Sequence, residues 1–451
     1  MNDQSSVKSR QKGMKMRRRE FLMAGGAALL CGMARGGGQN GAEKTAALMR
    51  GFVSAKLYRG LACASNHGLL LTDGCRTLAE DSDPITPNSL FDLASVGKTQ
   101  TAALCALLYT QGKLDPDAPF TEYLTEHVLA KENCQITVRD LATHSGGFDN
   151  SKPYQTPDTV KMFEELYKKR PVWPRATHYE YACSNFIYLG LIVEKLTGYA
   201  SLDTAARAML WGPLGMTYTT WNTIVGNPNA VECPQSTYSG PVRQIGEHND
   251  LSCHYAPRPM GNGSSFSSAP EMLLFLTDML ERRTFPKAYY DLQFSVSYNG
   301  NGHRRSFGWE MTSETSSFTS WYATGFSDQA ICHTGWTGPA VAVDPVRGFA
   351  GVVLGNRLAS KEQTMGPRMQ LLEVMANRGA SATCIESGSI ERDPPVRARS
   401  AVAVPVAAVT AASAVVQAST ALDTRTGTED ASDGIALDTR RPPAISRLFV
   451  R

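Results

Sequence analysis

The chain has 451 residues, 42% of them hydrophobic and 19% charged, with a formal net charge of +3. That composition belongs to a largely globular chain, and the length admits two or three average domains or one large α/β domain. The charge is too small to argue for a nucleic-acid partner, and no basic run interleaved with aromatics follows the N-terminus.

The first segment in chain order is MKMRRREFLMAGGAALLCGMA, in which Arg18 and Arg19 precede an apolar stretch ending near Ala34. It is too short and too rich in Gly and Ala to span a membrane stably. It resembles a twin-arginine export signal, and Gly32 and Ala34 fit the small-residue rule for cleavage after Ala34. Cys31 is a poor site for a lipid anchor, because Leu30 precedes it. The expectation is export to a bacterial periplasm or cell envelope, with residues 1–34 as leader and 35–44 as linker. Gly36, Gly38 and Gly41 form a G-x-G-x-x-G with no strand before it, which reads as linker.

From Thr45 the composition is that of a folded domain. FVSAKLYRGLACASNHGLLLTDGCRTL predicts two or three short strands, and ITPNSLFDLAS leads into a helix ending near Gly112. Residues 120–300 read as helices and long loops, including a helix Phe186–Thr197 capped by Gly198. QAICHTG, PAVAVDP and GFAGVVLGN predict three strands, with a hairpin turn at Asp344–Gly348, and KEQTMGPRMQLLEVMANRG predicts a closing amphipathic helix. A sheet built from both ends of the chain, in a domain at 45–382 with a helical insertion at 113–300, accounts for this order. Residues 383–451 read as a low-complexity, disordered tail; the Ala/Val run is interrupted by Pro405, Thr410, Ser413 and Gln417, and Ala-Leu-Asp-Thr-Arg occurs twice. No stable membrane span is expected.

Ten cysteines occur, without a C-x-x-C. Cys63 and Cys75 flank a turn-like SNHG and are placed to face each other across a hairpin; most others read as buried small hydrophobes. The eight histidines form neither H-x-H nor H-E-x-x-H, so no metal or other cofactor is expected, and no G-x-S-x-G is present for an α/β-hydrolase.

The chemistry-bearing stretch is DLASVGKTQ. Ser95 and Lys98 lie one helical turn apart on one face, so the lysine amine can reach the serine hydroxyl. A serine becomes an effective nucleophile when an adjacent base takes its proton, and N–H groups at a helix start stabilise developing negative charge. Ser-x-x-Lys alone is weak, since Ser5/Lys8 and Ser9/Lys12 match it within the N-terminal segment. Tyr181, in YEYACSNFIYLG, stands in a turn-prone stretch before an apolar helix; beside a lysine ammonium a buried tyrosine can have a lowered pKa and shuttle protons. His333-Thr334-Gly335 lies on a strand whose glycine admits a close substrate, with the Trp336 N–H able to pair with that of Ser95 as an oxyanion hole.

In this order, Ser-x-x-Lys, the tyrosine motif and His-Thr-Gly resemble the penicillin-recognising serine hydrolases: serine β-lactamases, D-Ala-D-Ala peptidases and related esterases, closest to the class C branch. LFDLASVGKT, ITVRDLATHSGGF, GNGSSFSSAPEM, HTGWTG and VVLGNR are further landmarks, and the likeness spans residues 45–380. The resemblance implies a β-lactamase/transpeptidase-like α/β fold, an antiparallel sheet flanked by helices plus a mainly helical subdomain. It implies Ser95 as acylated nucleophile, Lys98 as its activating partner and Tyr181 as proton shuttle. His333, Thr334 and Gly335 would line the substrate edge, and the Ser95 and Trp336 N–H groups would hold the oxyanion. Substrates would be small esters, peptides, β-lactams or peptidoglycan fragments.

Two departures bear on activity. The family's Tyr-x-Asn reads Tyr181-Ala182-Cys183, with Asn185 two positions late, and its Lys-Thr-Gly reads His333-Thr334-Gly335. The family's Asn offers an amide to the substrate's acyl-side carbonyl, and its Lys a fixed positive charge. Their loss favours a carboxyl esterase or D-Ala-type peptidase over an efficient β-lactamase. The rival reading is a non-catalytic envelope protein that binds peptidoglycan or a partner through the same fold.

Overall fold

The computed structural model describes residues 39–233, 244–313, 325–359 and 361–377, together with a two-residue strand, Val402–Ala403, that pairs with Leu71 and Thr72 inside the segment read as a disordered tail. The leader and nearly all of the C-terminal tail expected from sequence lie outside the described residues.

A nine-stranded antiparallel sheet runs β11-β2-β1-β10-β9-β8-β7-β6-β5. Its strands are β1 Tyr58–Ser65, β2 Leu69–Gly74, β5 Val296–Gly300, β6 His303–Ser306, β7 Trp309–Met311, β8 Ile331–Thr334, β9 Ala340–Asp344, β10 Phe349–Arg357 and β11 Val402–Ala403; β3 Phe91–Asp92 and β4 Phe266–Ser267 form a separate pair. The longer helices are α1 Gln39–Ser54, α2 Gly97–Thr110, α3 Val138–Ala142, α4 Thr159–Lys168, α5 Cys183–Thr197, α6 Leu202–Ala206, α7 Leu251–Tyr255, α8 Ala269–Glu281, α9 Lys287–Phe294 and α10 Lys361–Ala376. Among the described residues no helix is long and apolar enough to cross a membrane.

The sheet joins the two ends of the chain: β1 pairs with β10, Cys63 opposite Val353. Alternation along its central strands explains why both faces are covered. Leu61, Cys63 and Val353 point into a core closed by Met49 of α1 and Leu371, Leu372 and Met375 of α10. Ala62, Ala64, Val352 and Leu354 point into a larger core that includes Met272, Phe275 and Leu276 of α8. Strands buried on both faces read as continuous apolar runs, and β10 is buried throughout. In α2 the residues Gly97 to Leu108 are all buried, so the helix carrying Lys98 forms an interior post rather than an amphipathic cover.

Several expectations are corrected. Helix α1 starts at Gln39, inside the stretch read as linker, and takes in Phe52–Ser54, which had strand character. The strands β5–β7 lie at or beyond the end of the segment read as helical; they are short, polar and partly exposed, so they lack an apolar signature. Cys63 pairs across the β1–β2 hairpin with Leu71, whereas the Cys75 N–H bonds the Arg59 carbonyl, and both thiols are free.

Candidate active site

Ser95 sits on a 3-10 turn, Ala94–Val96, that leads into α2. The turn is strained: Ala94 has φ 45°, a left-handed value that an L residue adopts rarely and then under external constraint. Asp92 supplies part of that constraint. Its Oδ1 accepts from the Ala94 N–H at 2.7 Å and its Oδ2 from the Asn249 N–H at 2.8 Å. Burial raises the Asp92 carboxyl to about 6, against the lowering effect of those two bonds.

Two glycines close on the turn from opposite sides. Gly263 has φ 142°, and a Cβ there would lie 2.4 Å from the Ala94 carbonyl, which accepts the Ser264 N–H at 2.9 Å. A Cβ on Gly335 would lie 2.4 Å from the Leu93 carbonyl. The His-Thr-Gly strand end thus packs directly against the turn. The buried Arg368 guanidinium holds this corner through the Gly335 and Pro339 carbonyls at 2.5 and 2.9 Å, and the Arg357 guanidinium stacks 3.8 Å from the Trp336 ring.

Lys98 is fully buried. Its Nζ donates to Ser95 Oγ at 3.0 Å and to the Asn262 carbonyl at 2.5 Å, and lies 3.9 Å from Cys183 Sγ. Tyr181 Oη donates to Ser95 Oγ at 2.7 Å, with Lys98 Nζ 4.9 Å from its ring centre. Ser95, Lys98, Tyr181 and Cys183 are therefore brought together. The Tyr181 hydroxyl does not have the lowered pKa considered from sequence. Burial pushes it well above 10, the neighbouring Cys183 thiol adds to this, and the bond to Ser95 only partly opposes it, so it is a neutral phenol.

His333 is buried on β8, and its Nδ1 donates to the Thr334 carbonyl at 2.9 Å. Burial pulls it down to about 3, more than the nearby Glu310 carboxylate restores, so it is neutral near pH 7. Thr334 ends the strand, half-buried. Asn185 does not replace the missing amide at Cys183: it turns inward, with Nδ2 3.1 Å from His144 Nδ1.

Three site groups carried no sequence signal of their own. The His144 ring lies tilted against the Tyr181 ring, centres 4.5 Å apart, and accepts the Ala182 N–H. Asn262 lies within a recognised landmark, but it acts through its carbonyl, which no side-chain pattern reports. Asn150, on an irregular loop, accepts the Cys183 N–H through Oδ1 at 3.2 Å. Among the described residues, no group of three or more His, Cys, Asp or Glu side chains is arranged to hold a metal ion.

An antiparallel sheet with flanking helices, and a serine on a turn packed against the end of the interior strand β8, defines the β-lactamase/transpeptidase-like fold. The Beta-lactamase family model matches residues 49–374, and the chain belongs to that family, one of hydrolases. A Salmonella gallinarum protein with the provisional name D-alanyl-D-alanine carboxypeptidase is 26% identical over 324 residues, 63% of this chain and 73% of that protein. Two solved structures share the fold. EstCE1, a hydrolase with promiscuous acyltransferase activity, superposes with a TM-score of 0.63 at 17% identity, covering 75% of this chain and 99% of its own. A class C beta-lactamase gives 0.61 at 18% identity, covering 74% and 97%.

Proposed function

We propose that the chain is an exported serine hydrolase that cleaves esters or amides through an acyl-enzyme on Ser95. One observation carries this: a single hydroxyl, on a strained turn, lies within 3.0 Å of a buried lysine amine and 2.7 Å of a neutral tyrosine hydroxyl. In this reading Lys98 takes the Ser95 proton as Oγ attacks the substrate carbonyl. The N–H groups of Ser95 and Trp336 stabilise the oxyanion, and Tyr181 hands its proton to the leaving group and takes back the one Lys98 received from Ser95. Water then attacks the acyl-enzyme by the reverse relay.

Cys183 in place of an amide, and a neutral His333 in place of a lysine, support a carboxyl esterase or D-alanyl peptidase over an efficient β-lactamase. The names of the relatives are compatible with both. The twin-arginine-type leader supports a periplasmic or envelope location, where short esters, peptides and peptidoglycan fragments are accessible.

Intact-mass spectrometry of the purified protein tests this. Wild type and Ser95→Ala are incubated with a fluorophosphonate and, separately, with a penicillin. A fluorophosphonate adduct on wild type alone is expected. A lasting penicillin adduct as well would indicate a peptidase, and penicillin hydrolysis without one a β-lactamase. Identical spectra for the two proteins with both reagents would overturn the assignment in favour of the binding protein.

A further inference from the structure

The loop at 149–152 borders the N-terminus of α5, and its side chains alternate in direction. Asp149 and Ser151 face the buried Lys169, whose Nζ bonds the Asp149 carboxylate, the Ser151 carbonyl at 3.1 Å and the Ser151 hydroxyl at 2.8 Å. Asn150 and Lys152 face the other way, toward the catalytic cluster. The bond from the Cys183 N–H fixes the Asn150 amide with its oxygen inward, which leaves the exposed Nδ2 as a donor. The Cys183 thiol itself lies 3.9 Å from Lys98 Nζ, so this amide sits two contacts from the lysine beside Ser95.

Lys152 brings a charge to the same place. Among the described residues its ionic partner is Asp250, with Nζ 3.8 Å from Oδ2, too far for a hydrogen bond. Asp250 is already engaged through Oδ1 by the N–H groups of Ser252 and Cys253 and by Asn262 Nδ2, at 2.9, 3.3 and 3.1 Å. The Lys152 side chain is 28% exposed, so it is partly covered yet in reach of solvent. Burial lowers its pKa, but Cys183 and Asp250 more than compensate, and it stays an ammonium. At His333, on the His-Thr-Gly strand, the charge is absent.

We propose that Lys152 and Asn150 form an acyl-side subsite for a carboxylate, so that preferred substrates carry an anionic group on the acyl portion rather than on the leaving group. The proposal rests on Ser95 acylation, and it assigns the substrate's charge to the side that the His-Thr-Gly strand does not serve. A carboxylate there takes hydrogen bonds from an ammonium and an amide, the donor pair left unspent by the loop's own contacts.

The test uses 4-nitrophenyl monoesters of glutaric, adipic and pimelic acids, each against its methyl-capped neutral diester, with Ser95→Ala as background. Wild type is expected to favour at least one anionic ester about tenfold or more in kcat/KM, mainly through KM, the scale of a hydrogen bond to a charged group. In Lys152→Gln the anionic-to-neutral ratio falls toward one, and Lys152→Arg retains most of it. Asn150→Asp keeps the acceptor for the Cys183 N–H, replaces the donor with a like charge, and inverts the preference. The ratio is read on whatever turnover a variant keeps, so a fall in stability does not obscure it. No anionic preference in wild type, or the same ratio in Lys152→Gln as in wild type, would refute the subsite. If neither ester series were turned over above Ser95→Ala, Ser95 acylation itself would fail.

Discussion

Lys98 and Tyr181 both reach one oxygen, and they differ in what their removal takes away. Tyr181→Phe keeps the ring that packs against His144 and underlies Lys98 Nζ, and deletes only the hydroxyl 2.7 Å from Ser95. Because that hydroxyl is a neutral donor, its loss should show in turnover and not in folding. Ester kcat is expected to fall by about two orders of magnitude, the scale of a lost acid–base partner. A variant within threefold of wild type would remove Tyr181 from the proton path. The pairing of Ser95 with Lys98 was legible, because i and i+3 on a helix fixes their proximity whatever else the chain does. The protonation of Tyr181 was not. A sequence shows that a lysine is nearby but not that the tyrosine is desolvated, and here desolvation dominates. Asn150 was invisible for a related reason: its partner is a backbone N–H 33 positions away, and no motif records such a bond.

At the scale of elements, what matters is how β8 and the Gly263 loop close on the 3-10 turn. Ala94 holds its left-handed conformation between the Asp92 carboxylate, the Ser264 N–H and the two glycine contacts. Gly335→Ala places a methyl 2.4 Å from the Leu93 carbonyl, with the Ala94 Cβ and the Pro339 ring on its other sides. Backbone must shift to accommodate it, which costs about 1–3 kcal/mol in a packed region. The shift acts on Ser95 directly, so the expected result is a modest drop in urea stability with a disproportionate loss, tenfold or more, in fluorophosphonate labelling rate. Unchanged labelling at unchanged stability would show that β8 does not position the nucleophile. The strands β8 to β10 and helix α5 were readable because long apolar runs between glycines admit few alternatives. The strands β5 to β7 were not: VSYNG, HRRS and WEM owe their pairing to neighbours in the sheet, not to their own composition.

On the scale of the whole molecule, the sheet shared by both chain ends was foreseeable from strand-like runs at each end of a helical middle. The burial of particular titratable groups inside it was not, yet that burial sets how stability depends on pH. His127 and His248 are pulled down by burial to about 4 and His333 to about 3, and burial holds His144 well below its usual value. For each, the unfolded chain binds a proton near pH 6.5 and the native protein does not. Their contribution is therefore complete above about 6.5 and lost as pH falls through the window below it. Asp92 opposes them: with its carboxyl raised to about 6, the native state holds a proton that the unfolded chain gives up between about 6 and 4. Four histidines against one such aspartate, with other buried carboxyls such as Asp278 and Glu194 raised as well, leave a net uptake of about two to three protons on unfolding. The stability should then fall by about 3–4 kcal/mol per unit between pH 6 and 5, a large part of a typical margin. Urea unfolding at pH 7.5, 6.5 and 5.5 measures it directly. His127→Gln, at a site ringed by Phe120, Phe148 and Tyr188, should flatten the slope by about one proton's worth even if it lowers stability at every pH. Equal stability at pH 7.5 and 5.5 would mean that the buried histidines exchange protons freely in the native state. The interior around His333 and His144 would then be wetter than the packing of this fold allows.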